Sequence, residues 1–585
     1  MQNNLSVVGV PFPKGLMSTA RNPLTMAPTY GREITNMLVQ TDGAGFKRNG
    51  VVPVTPALPN GESIVGLFVY AGVAPQLIAV GSNGTIYGWS GTDWQTQYTG
   101  LNPLGTPRAV TFAGKLVLCN GFNNLIMYNG TAWEEVATLV VDQGTPLTWL
   151  AANRFSITSD ATLYPTGSRV RAKVAGAYVE ANVSSATTSG NVVTVTLDSA
   201  VLGTVAANLT EVAFTVKPPK VAYLAVAHDR LWGFGKGVLS PTMSGDVDRL
   251  RVYYTYGVND PTAWPDTETG SIPSINLADK AGVADELLAM AVKDDMTVFM
   301  GRNHMQLWVG HNPVYTASSQ GDFMWSKTIP LGIIHGSAVL SLPNDLLFVT
   351  RTGVRTLSRT IQTEQLDVAD VGGELDPTIA TAMQQLLPQQ YRKVMGLQEP
   401  VQGWFGLCMG SQTLVWQVGT FGRGWVIFTG AFADVEAACT APNGTVYLAK
   451  AGRVFVYDAT CYDDAGEPIT TRWWTPWLHP NGVKRWAHKY AEVLMARGSA
   501  MAVTLRRYTD DDDGNPAVFA MSTPEVPNYW NEAFWDEATW DSGNNGLKTS
   551  RDHAVLQSIS LCVETVTTTG PFCVFGLKLY GVKEK

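Results

Sequence analysis

Residues 77–94, LIAVGSNGTIYGWSGTDW, contain the pattern that decides the fold. An apolar strand runs into Asn83-Gly84, a second strand forms around Ile86 and Tyr87, and Ser90-Gly91 makes the next turn. Asn-Gly supplies the positive φ values of a two-residue hairpin turn, and the β-branched and aromatic residues on either side suit half-buried, pleated strands. The same text recurs along the chain. NGTIY at 83–87 returns as NGTVY at 443–447, and SGTDW ending at Trp94 returns as NGTAW ending at Trp133. The second pair is spaced by about 39 residues, within the range of β-propeller blades.

Working outward, two consecutive units between 64 and 136 each give three or four short strands, the second being PRAVTFAGKLVLCNGFNNLIMYNGTAW. From Val221 the layout resumes: apolar strand, polar turn, apolar strand, second turn, third strand. It repeats around the turns Lys293-Asp294-Asp295 and Pro343-Asn344-Asp345, and again in WFGLCMGSQTLVWQVGTFGRGWVIF and VEAACTAPNGTVYLAKAGRVFVYD. Four segments depart from it. Residues 1–60 read as an extended arm with one or two strands, in which Asp42 to Arg48 leads into, or closes, the first blade. Residues 144–218 are rich in Thr, Val and Ala and alternate strictly at Val193 to Leu197, so they read as a small β module inserted on a propeller loop. A helix is expected over 376–394, with Asp376 as cap, Pro377 in the first turn, and Ile379, Met383, Leu386 and Leu387 on one face. Beyond 465 the period is lost, and 465–585 reads as a separate antiparallel β domain.

The expected fold is therefore all-β: a degenerate six- or seven-bladed propeller in two parts, 61–143 and 219–464, with an inserted module and a C-terminal β domain. Pattern alone leaves open whether the N-terminal arm completes the last blade.

Composition bounds the function. With 585 residues, 45% hydrophobic and 15% charged, the chain can bury several cores. A formal charge of −8 argues against a general nucleic-acid binder, which neutralises phosphates with a Lys/Arg surplus. It leaves room for a surface past which nucleic acid slides without sticking. Six scattered cysteines show no C-x-x-C pair or metal-ligand spacing and read as buried free thiols. The N-terminal MQNNLSVVGVPFPKG has no basic n-region and no apolar run approaches a membrane span, so a soluble protein made in a reducing cytoplasm is expected. Asn83, Asn129, Asn182, Asn208 and Asn443 head Asn-x-Ser/Thr sequons, and hairpin-turn chemistry accounts for Asn83, Asn129 and Asn443.

No catalytic pattern emerges. The seven histidines form no H-E-x-x-H, and neither G-x-S-x-G nor a P-loop is present. Asp510-Asp511-Asp512-Asp513-Gly514 invites a calcium loop, but placing Gly514 sixth puts Thr509 first and Ala520 twelfth, without the carboxylates those positions need. The run reads as a solvated hairpin tip. No enzyme activity, cofactor or metal is expected. NYWNEAFWDEATWDSG carries Trp530, Trp535 and Trp540, either a local mini-core or a buried contact with a partner.

The arm ending in NMLVQTDGAGFKRNGV, the degenerate propeller, the module GSRVRAKVAGAYVEANVSSATTSGNVVTVTLDS and the Trp-rich C-terminal region with FWDEATWD together resemble the tail nozzle, or tail hub, proteins of short-tailed bacteriophages. The resemblance implies a structural virion protein of the tail that forms a six-fold ring at the distal end, contacts tail tube or adaptor proteins, and lines the channel for DNA retention and ejection. Six copies at −8 would carry about −48, a field that repels phosphates. On this reading Asp510, Asp511, Asp512 and Asp513 are candidate channel-lining residues, Trp530, Trp535 and Trp540 candidate interface residues, and 144–218 faces outward to dock tail fibres. The competing reading is a carbohydrate-binding or carbohydrate-cleaving propeller, with aromatics and carboxylates converging above the ring's central cavity. An intracellular adaptor propeller is a third, without its blade signature.

Overall fold

The computed structural model describes residues 5–583 except 15, 40–42, 73–74, 236–248, 267–269, 282–284, 315–320, 343–344, 364–371, 386–393, 419–422, 481–484, 498–500, 511, 524–544, 549–553 and 568–570. The recurring hairpin units form a seven-bladed β-propeller. Blade one comprises Ile64–Tyr70, Gln76–Gly81, Ile86–Trp89 and Trp94–Tyr98, and blade two Arg108–Phe112, Lys115–Cys119, Ile126–Tyr128 and Trp133–Glu135. Blades three, four, five and six begin at Tyr223–Ala227, Leu287–Lys293, Val339–Leu342 and Val394–Glu399. Blade seven is Ala437–Thr440, Val446–Lys450, Arg453–Asp458 and, as its outermost strand, Gly50–Pro53 from the N-terminal arm. The innermost strand of each blade lies against the next, and that of blade seven lies against that of blade one, which closes the circle.

The closing strand corrects one expectation. Phe46-Lys47-Arg48 leads into the last blade, where Val51 pairs with Tyr457 and Val52 with Val456, and not into the first. The strand hydrogen-bonds to blade seven while the chain beyond it runs on into blade one, so the two ends of the repeat array are tied together.

Blade sheets are covered on both faces, which explains why their middle strands are apolar throughout and do not alternate. Separate apolar wedges fill the gaps between neighbours. Ile64, Leu67 and Tyr87 pack with Ala437 and Val454 between blades one and seven, whereas Ile78, Val80 and Ile86 pack with Leu116 and Leu118 between blades one and two. The turns also work differently from a two-residue Asn-Gly hairpin. Gly81 N–H donates to Thr85 O at 2.9 Å across a three-residue loop, Asn83 Oδ1 accepts from Thr85 N–H at 2.8 Å, and only Gly84 takes positive φ, at 86°. A Cβ at Gly84 would meet Leu101 O at 2.0 Å, so both backbone conformation and space require glycine. The turn at Asn443-Gly444 repeats the arrangement, with Thr445 N–H on Asn443 Oδ1 at 3.1 Å and φ 87° at Gly444.

Blade five has three strands among the described residues, and helices pack beside it. Leu357–Thr363 is helical; Asp376–Gln385 is the expected helix, with Ile379 and Met383 buried. Its Asp376 is fixed by buried Arg355 at 2.9 Å. Leu386 and Leu387 lie outside the described residues.

The insertion spans Thr138–Val141 to Leu209–Val216, a seven-stranded sheet bent around its own apolar core of Phe155, Ile157, Tyr164, Val193, Val195 and Val212 among others. By contrast, the strands beyond 465 are not a separate domain. Ile469–Trp474, Met501–Thr509, Asp512–Thr523 and Ile559–Thr567 join blade six in one nine-stranded sheet, and Glu33–Thr35 of the arm is the splice between the outer strand of blade six and Ile469–Trp474. A second sheet centred on Trp486–Arg497 and Phe572–Lys583 takes in the arm strands Leu5–Pro11, Met37–Val39 and Gly45–Lys47. The two sheets share one apolar core with blades five to seven.

One buried side chain fastens this junction. Arg48, with its side chain fully buried, meets Asp464 through two nitrogens at 2.6 and 2.9 Å and donates to Asn36 Oδ1, Asn49 O and Thr429 O, each at 2.8 Å. All its edges are thereby satisfied, and its face lies 4.9 Å from the Phe432 ring.

Candidate functional site

The described channel-lining candidates, Asp510, Asp512 and Asp513, lie far from the propeller axis. Asp510, Asp512 and Asp513 lie at the start of Asp512–Thr523, the ninth and last strand of the sheet counted from the innermost strand of blade six. At about 4.8 Å per strand that is roughly 40 Å along the sheet, so these residues do not line the propeller's own bore. Their partners are local or on the arm. Asp513 holds Arg32 by a bidentate pair at 2.6 and 2.9 Å, and Arg32 stacks 4.1 Å from the Trp474 ring. The bond to Arg32 keeps the Asp513 carboxyl below the usual carboxylate range. Asp510 Oδ1 accepts from Gln557 N–H and Asp512 Oδ1 from Gly514 N–H, both at 2.7 Å. Asp511, Trp530, Trp535 and Trp540 lie outside the described residues.

A cavity of about 300 Å³ opens instead at the centre of the ring, where the innermost strands converge. Phe68, Arg108, Tyr223, Met290, Met395 and Ala438 bring one side chain each from blades one, two, three, four, six and seven, and His335 to Ser337 enter from the approach to blade five. Arg108 is half-buried. Its guanidinium stacks 4.1 Å from the Tyr223 ring, which in turn stacks on Phe234 at 5.5 Å with the planes 2° apart. Burial among these groups pushes the Tyr223 hydroxyl pKa up.

Arg108 Nη2 lies 3.1 Å from His335 Nε2. A guanidinium only donates, so Nε2 accepts and the imidazole proton sits on Nδ1, facing Ser337 Oγ at 2.5 Å. Ser337 Oγ passes its own proton to Val394 O at 2.8 Å. The polarity of this chain runs opposite to a nucleophile–base pair: the imidazole presents a proton to the serine and cannot take one from it, and an arginine stands where an orienting carboxylate would be. The carboxylate of Glu436 lines the same cavity but is committed to backbone, with Oε2 accepting from Ile64 N–H at 3.0 Å and Gly452 N–H at 3.1 Å. Two carboxylates facing one another across the cavity, as sugar cleavage needs, are not found among its described lining residues.

Elsewhere the titratable groups hold blades together. In blade four, Trp308 Nε1–H donates to Gln306 Oε1 at 3.2 Å, Gln306 Nε2 lies 3.3 Å from His304 Nε2, and His304 Nδ1 contacts buried Asp285. Asp285 also accepts from the backbone N–H groups of Arg302 and His304 at 3.0 and 3.1 Å. Burial pushes its carboxyl pKa up, but the His304 contact and the bonds from Glu286 and Asn303 outweigh this and leave it below normal. The alternation His304, Gln306, Trp308 on one strand face is the signal that would have revealed this relay in the sequence. His228 and His311 meet edge to face at 5.0 Å, and burial first, then His311, lowers the His228 pKa. All six cysteines are free; burial pushes the Cys119 and Cys439 thiols to about 12, which makes them inert. No cluster of metal-ligating side chains is found among the described residues, and no helix there is long and apolar enough to cross a membrane.

No protein-family model matches the chain, and none of the curated proteins does. Solved structures similar to it are distant in sequence. An extracellular domain assigned to a one-component system of B. thetaiotaomicron is 10% identical with a TM-score of 0.36, over 72% of this chain and 41% of that one. The chain thus spans about two fifths of that structure's length. The WD40 propeller domain of Doa1 is 10% identical with a TM-score of 0.33, covering 70% and 97%. The phage phi92 endosialidase is 12% identical with a TM-score of 0.26, covering 74% and 68%.

Proposed function

We propose that this chain is a structural building block of a phage tail, a nozzle or hub protein that assembles with five further copies into a ring around the path of the genome and catalyses no reaction. The observation that carries this reading is the interlacing of the chain. The arm closes blade seven, splices blade six to the C-terminal strands and pairs with the last strand of the protein, from Leu5 with Val582 to Pro11 with Gly576. Propeller and terminal sheets are thereby one body on a shared core, suited to bearing load. The central cavity adds support, since its one acid serves the backbone and its serine donates to a carbonyl. The net charge of −8 suits a wall past which DNA slides. In the assembly the module at 138–216 faces outward as the place for a tail fibre, and tail tube or adaptor proteins bind elsewhere on the body.

Electron microscopy of the purified protein, alone and with its tail components, tests this reading. Six-fold rings are expected. A lone subunit that binds or cleaves a polysaccharide would replace the reading with the carbohydrate propeller.

A further inference from the structure

We propose that the cavity at the centre of the propeller is a binding site for a small oxyanion, a compact molecule bearing one carboxylate or phosphate group, with Arg108 as its anchor. The proposal does not depend on the ring reading. Three observations converge on Arg108. First, a guanidinium has five N–H donors, and among the described residues its one protein hydrogen bond is the contact of Nη2 with His335 Nε2. Second, no described carboxylate pairs with it, whereas buried Arg48 has Asp464 and buried Arg355 has Asp376. Third, the group is held in place beforehand. Its face rests on the Tyr223–Phe234 stack, and one edge is fixed by the His335–Ser337–Val394 chain, so side chains of blade three and of the approach to blade five, with a backbone oxygen of blade six, set its orientation. A cation that is oriented, half-buried and left with open donors is the recognition element for a planar or tetrahedral oxyanion.

The remainder of the cavity sets the rest of the ligand. Phe68, Leu224, Met290 and Met395 provide apolar wall, so a small apolar body attached to the anionic group is favoured over a bare ion. A volume of about 300 Å³ suits a compact ligand. His335 reinforces selectivity. While its Nε2 accepts from Arg108 it cannot donate to an anion, so the guanidinium is the donor that the ligand meets.

Calorimetric titration of the full chain at constant ionic strength tests the site, with inorganic phosphate, acetate, phenyl phosphate and benzoate as probes. Saturable one-to-one binding is expected, with phenyl phosphate or benzoate tighter than its bare counterpart. Which of the two binds better identifies the source of the oxyanion. Arg108→Met keeps an apolar stem on Tyr223 and removes the donors; it should weaken binding by about tenfold or more. Ala438→Phe fills the cavity and leaves Arg108 in place, and it should block the aromatic probes even if Arg108→Met fails to fold. Absence of saturable binding to the unaltered protein, or equal binding by the unaltered protein and a folded Arg108→Met or Ala438→Phe variant, would overturn the assignment.

Discussion

The inserted module and the C-terminal strands are both β structures appended to one propeller, and they are attached in opposite ways. The module closes on its own core and touches the blades at few points, among them the Lys217–Glu135 pair at 2.6 Å, the Thr138 hydroxyl on Thr262 O, and Phe214 against Gly270. The C-terminal strands have only a small cluster of their own, Trp477, Tyr508 and Cys562, among the described residues. They continue the sheet of blade six and bury their apolar faces together with the arm and blades five to seven. An insertion that folds by itself can be carried on a loop at little entropic cost, whereas strands that share a core fold or fail with it.

This contrast can be broken at its strongest point first. Arg48→Met leaves Asp464 buried without its partner and is expected to cost about 3–5 kcal/mol. Thermal unfolding should shift, and hydrogen exchange should show protection lost together at Gly50–Pro53 and Ile469–Trp474, with the module unaffected. Phe155→Ala in the module core should cost about 3–4 kcal/mol, confined to the module, with the propeller transition left in place in calorimetry. Asp285→Asn in blade four is expected to cost about 1–3 kcal/mol. Because the folded pKa of Asp285 is depressed, its contribution is present above the ordinary carboxylate range and is lost as pH falls through the folded value. Acid unfolding monitored from pH 6 downward should therefore begin earlier in the unaltered protein than its neutral-pH stability suggests, and Asp285→Asn should flatten that dependence. Asp513→Asn removes a half-exposed pair and should cost about 1 kcal/mol or less, read as a small shift in denaturant midpoint. Smallest of all, replacing 138–216 by a short Gly/Ser linker should leave the melting of the remaining chain within about 0.5 kcal/mol of its original stability. A collapse of the propeller on that deletion would erase the distinction between the two appendages.

The legible parts of this molecule were the local ones. Asn83, Gly84, Asn443 and Gly444 announce their turns because an Asx side chain and a positive-φ glycine act within a few residues of each other. Val193 to Leu197 announces a one-sided strand through its alternation, with Val193, Val195 and Leu197 buried. The candidate site was hidden for the complementary reason. Arg108 and His335 are 227 residues apart, and Arg48 and Asp464 are 416 apart, and neither pair has a spacing or motif that marks it in one dimension. The run Asp510 to Asp513 drew attention as a charge cluster, yet its most consequential member is held by Arg32, 481 residues away.

By itself the sequence determined that strands would form, where they would turn, and that repeated units with apolar strands would stack as blades, because turn geometry and side-chain burial are written in neighbouring residues. The tertiary structure alone decided which strand closes blade seven, that four of the strands beyond 465 join the sheet of blade six, and which cations keep a partner. The physical reason is that backbone hydrogen bonds along a strand edge are the same for every sequence. The choice among possible partners is made by the apolar faces and buried charges that meet only once the chain has closed on itself.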